Sequence, residues 1–452
     1  MNIIMVGCGK VGYSLVEQLS KEDHNITVID EDAEEIRNIT NNLDALGIVG
    51  NAVSFTTLQE ADVAHADLLI AVTGSDEQNL LCCLIAKRSG HCKTIARVRN
   101  PLYVSEIEFL KKGFDLGMII NPEFEAANEI ARIFQFPSAV KVDTFARGHV
   151  DMLHIKLTQD SPLNGLRIMD IRSTLHTSIL ICSVTRDGHT RIPNGGFVLQ
   201  EGDEIGFTAR RKETTAFLRK IGLSKNRIDN AIIAGGSKIA FYLARLLMLS
   251  GINTTIIEQK RERCEQLAEL LPDVAVIHGD ATDQNLLLQE NVSTTAGFAA
   301  LTGLDEENIL LSLYVKGINP AAKVITKINR ITFSDVINQM NLDTIINPQV
   351  ITADFISRFV RSMDNTDSEV ENLYKLADGQ AEALEFVIKE DSNATNTPLA
   401  ELSLKDNLLI CCIYRNGQII FPTGQDCLKV GDSVVVVLSG FRISDIKGIL
   451  KD

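Results

Sequence analysis

The segment "VGCGKVG" places glycines at 7, 9 and 12, directly after an apolar run and directly before an amphipathic one. Each glycine has a separate job in holding a pyrophosphate. Gly7 permits a tight turn, Gly9 lets the backbone approach the phosphates, and Gly12 lets the following helix pack closely on the sheet. The intervening Cys8, Lys10 and Val11 belong to the same turn, whose helix N-terminus offers free N–H groups and a partial positive charge. Asp30 lies at the end of the next apolar run, with Glu31 behind it, where a carboxylate accepts ribose hydroxyls. An acid there favours NAD, NADH or adenosine nucleotides over a 2′-phosphorylated cofactor. Asn51 and Ala52 follow the third apolar run, where an adenine edge would sit. Thr73, Gly74, Asp76 and Asn79 follow the fourth, at the crevice where open α/β sheets bind ligands. Arg97 and Arg99 stand two apart, hence on one face of a strand, and can reach phosphates. Plainer readings exist for some of these: Asp76 as a helix N-cap, and the arginine pair as a solvated strand edge.

The same turn returns as "AGGSKIA", with Gly235, Ser237, Lys238 and Ile239 at corresponding places and Ala240 where Gly12 stands. Glu258 answers Asp30, Asp280 and Ala281 answer Asn51 and Ala52, Thr302 answers Thr73, and Lys327 answers Arg97. A serine side chain crowds the approach to a pyrophosphate. The second site is therefore expected to take ATP, ADP or no nucleotide, whereas the first takes NAD or NADH.

The likeness does not stop at the turns. "TGSDEQN" (73–79) pairs with "TGLDEEN" (302–308), and "IINP" (119–122) with "IINP" (345–348). "SILICSVTRDGHTRIP" (178–193) pairs with "NLLICCIYRNGQIIFP" (407–422), and "LQEGDEI" (199–205) with "LKVGDSV" (428–434). The chain is a tandem duplication of a two-domain unit, with boundaries expected at 1–137, 138–225, 226–364 and 365–452. Short apolar runs at 2–6, 26–29, 68–72 and 94–98 read as buried parallel strands, with helical segments at 11–19 and 79–87 between them. That alternation predicts an α/β fold: two Rossmann-like, doubly wound parallel-sheet lobes. Each is followed by a small α+β lobe whose strands are bounded by "RDG" and "EGD" turns, with one helix near 211–220. The apolar strands around 179–184 and 408–413 read as core, with a dimer surface as the alternative.

Composition narrows the function classes. A chain of 452 residues exceeds one core, at roughly 100–200 residues per domain. Its longest apolar runs, such as "LLICCIY" and "VVVVL", fall far below the roughly 20 residues that cross a bilayer. The first apolar stretch runs straight into a glycine turn with no cleavage pattern, so no secretory leader is read there. A net charge of −15 argues against nucleic acid and against an anionic membrane face, so membrane association is expected through a protein partner. Nine cysteines form no CxxC and lie in apolar segments, the pattern of reduced core thiols in a cytoplasmic protein. Catalytic signatures are missing. No tyrosine is followed four residues on by lysine, and there is no Walker A loop, GxSxG elbow or metal-ligand cluster. A binding protein is expected. An NAD-dependent oxidoreductase with an unrecognised acid and a stand-alone nucleotide sensor are the alternatives.

"MNIIMVGCGKVG", "NITVID", "ADLLIAVTGSDEQN" and "IARVRNP" closely resemble the N-lobe of RCK (KTN) domains. The tandem order over the whole chain is similar to the TrkA family, cytosolic regulatory subunits of bacterial potassium uptake systems. The resemblance implies RCK-N lobes that bind NAD(H) or adenine nucleotides, with RCK-C lobes completing each unit. It implies a homo-oligomer, a dimer of dimers forming a ring, docked on the cytoplasmic face beneath a TrkH-type potassium transport membrane subunit. It also implies that Glu123, after the "NP" step, touches a divalent cation or nucleotide phosphates at an interface; the second copy carries Gln349 there. Cyclic-dinucleotide binding by the RCK-C lobes is a further property of that family.

Overall fold

The computed structural model describes residues 1–22, 24–100, 115–137, 141–145, 150–223, 228–329, 342–364, 370–376, 380–441 and 445–451, with 103, 106, 109, 113, 340 and 443 singly. The first lobe contains β1 (Asn2–Val6), α1 (Lys10–Leu19), β2 (Asn25–Asp30), α2 (Ala33–Asn42) and β3 (Leu46–Val49). It continues through α3 (Phe55–Glu60), β4 (Leu68–Ala71), α4 (Asp76–Ser89), β5 (Lys93–Arg97), β6 (Met118–Ile120) and α5 (Pro122–Gln135). All its described strand pairs are parallel, in the order β3-β2-β1-β4-β5-β6. That is the doubly wound order whose reversal point lies between β1 and β4. Helices cover both faces, so β4 is buried at every residue, as its unbroken "LLIA" run requires.

The small lobe that follows has β7 (Lys141–Phe145), β8 (Val150–Lys156), α6 (Ile171–Leu175), β9 (Leu180–Arg186), β10 (His189–Arg191), β11 (Glu204–Thr208) and α7 (Arg211–Lys220). Its antiparallel sheet runs β10-β9-β11-β8-β7. The "RDG" segment makes a two-residue hairpin loop with positive φ at both Asp187 (51°) and Gly188 (76°), the loop that matches strand twist.

The second copy repeats both lobes. Its parallel lobe contains β12 (Asn230–Ala234), α8 (Lys238–Leu249), β13 (Asn253–Glu258), α9 (Arg261–Leu270), β14 (Ala275–His278) and α10 (Gln284–Gln289). It ends with β15 (Gly297–Ala300), α11 (Asp305–Ile318), β16 (Lys323–Lys327), β17 (Thr344–Ile346) and α12 (Pro348–Asp364). Its strand order, β14-β13-β12-β15-β16-β17, matches the first lobe. The final lobe has β18 (Val370–Leu376), β19 (Ala381–Val387), β20 (Leu408–Arg415), β21 (Gln418–Ile420) and β22 (Ser433–Leu438), ordered β18-β19-β22-β20-β21. The fold class read from periodicity is the fold observed.

Packing does not follow chain order. Two compact units form, Met1–Phe134 with Ile228–Ser357, and Gln135–Arg227 with Arg358–Asp452. In the first unit the parallel lobes interlock through their last helices. Ala126, Ala127, Ile130, Ala131 and Phe134 of α5 are buried in one cluster with Ile233, Tyr242, Leu243 and Ala299 of the second lobe. Asn121 donates to the Tyr242 hydroxyl (3.2 Å), and Phe124 meets the Tyr242 ring edge-on at 5.5 Å. In return, Asp354 and Ser357 of α12 hydrogen-bond both ends of the Gln18 amide on α1. In the second unit the small lobes share a core that includes Met152 and Cys182 from one and Ala383, Cys411 and Val437 from the other. The strands at 179–184 and 408–413 are thus core and lobe-to-lobe contact together.

Candidate functional site

The first turn is built from the three glycines, and two of them are demanded by the chain itself. Gly7 has φ +96°, and a Cβ there would lie 2.8 Å from the Thr73 nitrogen. A Cβ on Gly12 would lie 1.9 Å from the Gly7 carbonyl oxygen, so helix and turn could not approach. Gly9 is different. Its φ is −62°, within reach of any residue, and a Cβ there meets nothing within 4 Å. No protein atom needs that side chain to be missing. The space it leaves opens into the cleft, where a ligand backbone would lie.

Gly9 is also the N-cap of α1, and no side chain caps it; no acid occupies the first turn. By contrast α2 is capped by Asp32 and α4 by Ser75, both with acids in the first turn. The N–H groups and dipole end of α1 therefore remain available to an anion.

The Asp30 carboxylate is fixed by two backbone donors, Cys8 N–H to Oδ2 (2.6 Å) and Asp32 N–H to Oδ1 (2.9 Å). Each oxygen keeps a second lone pair for a ribose hydroxyl. Cys8 itself is buried beneath the turn, its thiol pushed up to about 12 by burial and by Asp30. On the opposite wall Asn79 is fully buried and ties the 73–74 loop to β5. Its Oδ1 accepts from Thr73 N–H (2.8 Å) and Thr73 Oγ1 (2.7 Å), and its Nδ2 donates to the Arg97 carbonyl (2.9 Å). Asn79→Ala is therefore expected to cost about 1–3 kcal/mol, the penalty for stranding buried partners. Thermal unfolding would show it, and a shift under 1 °C would contradict the assignment.

A cleft of about 580 Å³ runs along these elements, a normal volume for a small-ligand site. Of the residues singled out by sequence, Gly7, Gly9, Lys10, Val11, Asp30, Glu31, Asn51, Ala52, Thr73, Gly74 and Arg97 line it. Cys8, Gly12, Asp76, Asn79 and Arg99 do not. Cys8 packs beneath the turn, Gly12 packs the helix, Asn79 holds the loop, and Asp76 and Arg99 bond to the chain itself. Asp76 is not the N-cap of α4; that is Ser75, whose side chain accepts from Gln78 N–H. Asp76 instead accepts from the backbone N–H groups of Arg99 and Asn100, both at 2.8 Å. Arg99 follows the end of β5 and donates to the Gly74 carbonyl, while Arg97 donates to the Thr73 carbonyl. Burial and the neighbouring Arg99 lower Arg97 to about 10, so it remains a cation at neutral pH.

Sequence reasoning missed several lining residues, among them Asp32, Glu35 and Gln349. Asp32 and Glu35 join Asp30 and Glu31 to make the ribose edge strongly acidic, a signal present in the run "DEDAEE". Gln349 arrives from α12 of the second lobe, which no local pattern announces.

The second turn keeps the backbone and changes the chemistry. Gly235 holds φ +95°, but the Ser237 side chain accepts from Ala240 N–H (3.3 Å) and caps α8 itself. Glu258 accepts from Gly236 N–H (2.6 Å) and Lys260 N–H (2.7 Å). Arg263, where the first lobe has Glu35, donates to the Gly236 carbonyl (2.7 Å). Asp280 is engaged by Thr282, whose backbone and hydroxyl donors hold its carboxyl below the usual range; Ala281 is buried. Thr302 N–H donates to Asn308, the counterpart of Asn79.

A second cleft of about 290 Å³ lies at the seam between these two lobes, and its lining includes Arg97, Glu123, Ser237, Lys238, Ile239, Lys327 and Gln349. Lys327 is buried, which lowers its proton affinity, and it donates to the Thr302 carbonyl (2.6 Å). Glu123 sits among these cations. Among the described residues, no group of three or more His, Cys, Asp or Glu is placed to hold a metal ion.

Two doubly wound lobes interlock at a seam, each with a glycine turn and each followed by a small antiparallel lobe. Residues 3–122 and 231–348 match the TrkA-N domain, and residues 152–222 and 383–450 match the TrkA-C domain. The chain belongs to the TrkA family. It is 30% identical to the Trk system potassium uptake protein TrkA homolog of Archaeoglobus fulgidus, across 100% of both chains. It is 31% identical to the Trk system potassium uptake protein TrkA of Haemophilus influenzae, covering 97% of this chain and 96% of the relative. Among solved structures, the GsuK channel bound to NAD superposes with a TM-score of 0.64 at 17% identity, covering 97% of this chain and 76% of that one. The GsuK RCK domain gives 0.63 at 17% identity, with 97% and 92% covered. Identity this low speaks to fold alone.

Proposed function

We infer that this chain is the nucleotide-binding regulatory subunit of a potassium uptake system, acting on a membrane partner rather than as a catalyst. The observation that carries nucleotide binding is Gly9: open space, an uncapped helix N-terminus and a fixed carboxylate converge where a pyrophosphate and its ribose would lie. The first lobe takes NAD or NADH, held by the 7–12 turn, Asp30 and the loop at Thr73 and Gly74. A bound dinucleotide supplies negative charge at the end of α1 and hydroxyl donors for Asp30. The second lobe, self-capped by Ser237, takes ATP, ADP or nothing. Four lobes, at 1–137, 138–225, 226–364 and 365–452, divide the labour. The TrkA relatives, named for potassium uptake, and the NAD-bound GsuK channel support this reading.

The seam supplies the means of regulation. Gln349 of the second lobe and Arg97 of the first line both clefts, so an occupant of the first cleft touches residues that also line the seam. A ligand shifts a conformational equilibrium only through its differential affinity for the two states. A coupling of roughly 1–3 kcal/mol per site is typical. Glu123 is placed to meet a cation or phosphate brought to the seam. A ring of such chains, docked on a TrkH-type subunit at the cytoplasmic face of the cell membrane, would sum the coupling. Among the described residues no helix is long and apolar enough to cross a membrane. Among the described residues, the lining of the first cleft includes no His or Tyr, the usual proton donors in hydride transfer to a carbonyl.

The test is calorimetric titration with NADH, NAD, ATP and ADP, followed by potassium flux through the reconstituted membrane partner. Micromolar binding of NADH and a nucleotide-dependent flux are expected. Binding of none of the four below the millimolar range sinks the reading.

A further inference from the structure

Cys182 on β9 and Cys411 on β20 occupy equivalent places in the two copies, and their sulfurs lie 3.6 Å apart. Both are fully buried in the apolar core shared by the two small lobes, with Phe145, Met152, Ala383 and Val437 around them. Nothing in the nucleotide-binding reading uses them. Tandem duplication explains how they came to face each other: one strand position, present once in each copy, lies against its counterpart. Cys412 is adjacent and also fully buried, because the ladder between β20 and β22 slips between Ile410 and Cys412 and turns both thiols inward.

We propose that Cys182 and Cys411 form an oxidative modification site, at which hydrogen peroxide converts the facing thiols into a disulfide that joins the two small lobes. One sulfur attacks the peroxide oxygen and becomes a sulfenic acid as water leaves. The facing thiol then attacks that sulfur, the S–S bond forms and a second water departs. Two thiols lose one electron each and two protons; the peroxide is reduced to two waters. The attacker is the thiolate. The contact with Cys182 and burial hold the Cys411 proton well above the ordinary thiol range, so the reaction should quicken as pH rises. A link here fixes β9 against β20 and removes any separation of the two lobes along that contact.

The full chain is exposed to hydrogen peroxide under native conditions, quenched with acid, and digested with trypsin without reductant. The expected product joins peptides 173–186 and 406–415, with two of the nine thiols lost and recovered on adding dithiothreitol. Since 406–415 carries both Cys411 and Cys412, the assignment uses variants. Cys411→Ser should abolish the link and Cys412→Ser should keep it. Should Cys411→Ser fail to fold, Cys182→Ala serves the same purpose, and fragmentation of the wild-type product assigns the sulfur directly. Amide exchange in β9 and β20 should slow at least tenfold on oxidation. The proposal is overturned if all nine thiols survive, if the link persists without Cys411, or if the product is the vicinal Cys411–Cys412 pair.

Discussion

Gly9→Asp is expected to weaken NADH binding at least 100-fold, about 2.7 kcal/mol, without lowering thermal stability. The two halves of that expectation come from the same atoms. A carboxylate at this position fills space that no protein atom occupies, so nothing has to move. It also caps α1, which has no side-chain cap, and Asp is among the best N-cap residues. The helix is therefore stabilised slightly, by a few tenths of a kcal/mol relative to glycine. The pyrophosphate fares otherwise. The new carboxylate takes the N–H groups it would use and sets a negative charge beside it, near Asp30. Ser237→Asp should leave this binding unchanged. Retention of NADH within threefold in Gly9→Asp would place the pyrophosphate elsewhere. Gly12→Ala offers the opposite pattern, since a Cβ 1.9 Å from the Gly7 oxygen damages the fold first.

The second large effect lies away from the clefts. Asp432 is 1% exposed and accepts a bidentate pair from Arg415, Nε to Oδ1 at 2.7 Å and a terminal nitrogen to Oδ2 at 2.6 Å. Lys429 N–H adds a third bond at 2.8 Å. Asp203, 0% exposed, makes the same set with Arg186 and Gln200 in the first small lobe. Removing one partner of a buried pair costs about 3–5 kcal/mol, because the remaining groups keep their desolvation penalty. Asp432→Ala and Asp203→Ala should each lower the unfolding free energy by that amount, read from the denaturant midpoint and slope. Asp432→Asn should lose less, keeping a bond to Lys429. A loss below 1 kcal/mol in Asp432→Ala would show that solvent replaces the carboxylate there. The guanidiniums are the more exposed partners, with side chains 33% and 25% exposed, so an arginine substitution, which strands the buried carboxylate, should cost at least as much as the aspartate one.

Sequence showed these aspartates only as members of "EGD" and "VGD" turns, and the arginines only as hairpin flanks. The bond between them is non-local: 17 residues separate Arg186 from Asp203, across two strands. The Asp76 reading went astray for a related reason. Ser-Asp before a helix offers two plausible caps, and the backbone angles that choose Ser75 are set by how α4 docks on β5. Of the pair expected to reach phosphates, Arg97 lines the cleft and Arg99 does not. What their guanidiniums touch, the Thr73 and Gly74 carbonyls, depended on a loop fixed by Asn79.

The sequence by itself determined the duplication, the alternation of strand and helix, the order of lobes along the chain and the glycine turn with its acid. All of these are local signals: period, spacing and the φ angles only glycine tolerates. Only the tertiary structure decided which copy each last helix serves. Phe134 is encoded in the first copy, yet it is 1% exposed in a core made mostly by the second, and Gln349 lines the first cleft from the second. The apolar stripe of α5 states that it must be buried, but not against which of two nearly identical surfaces. That choice belongs to the packing of the whole unit, where exchanging the helices turns two adjoining folds into one interlocked seam.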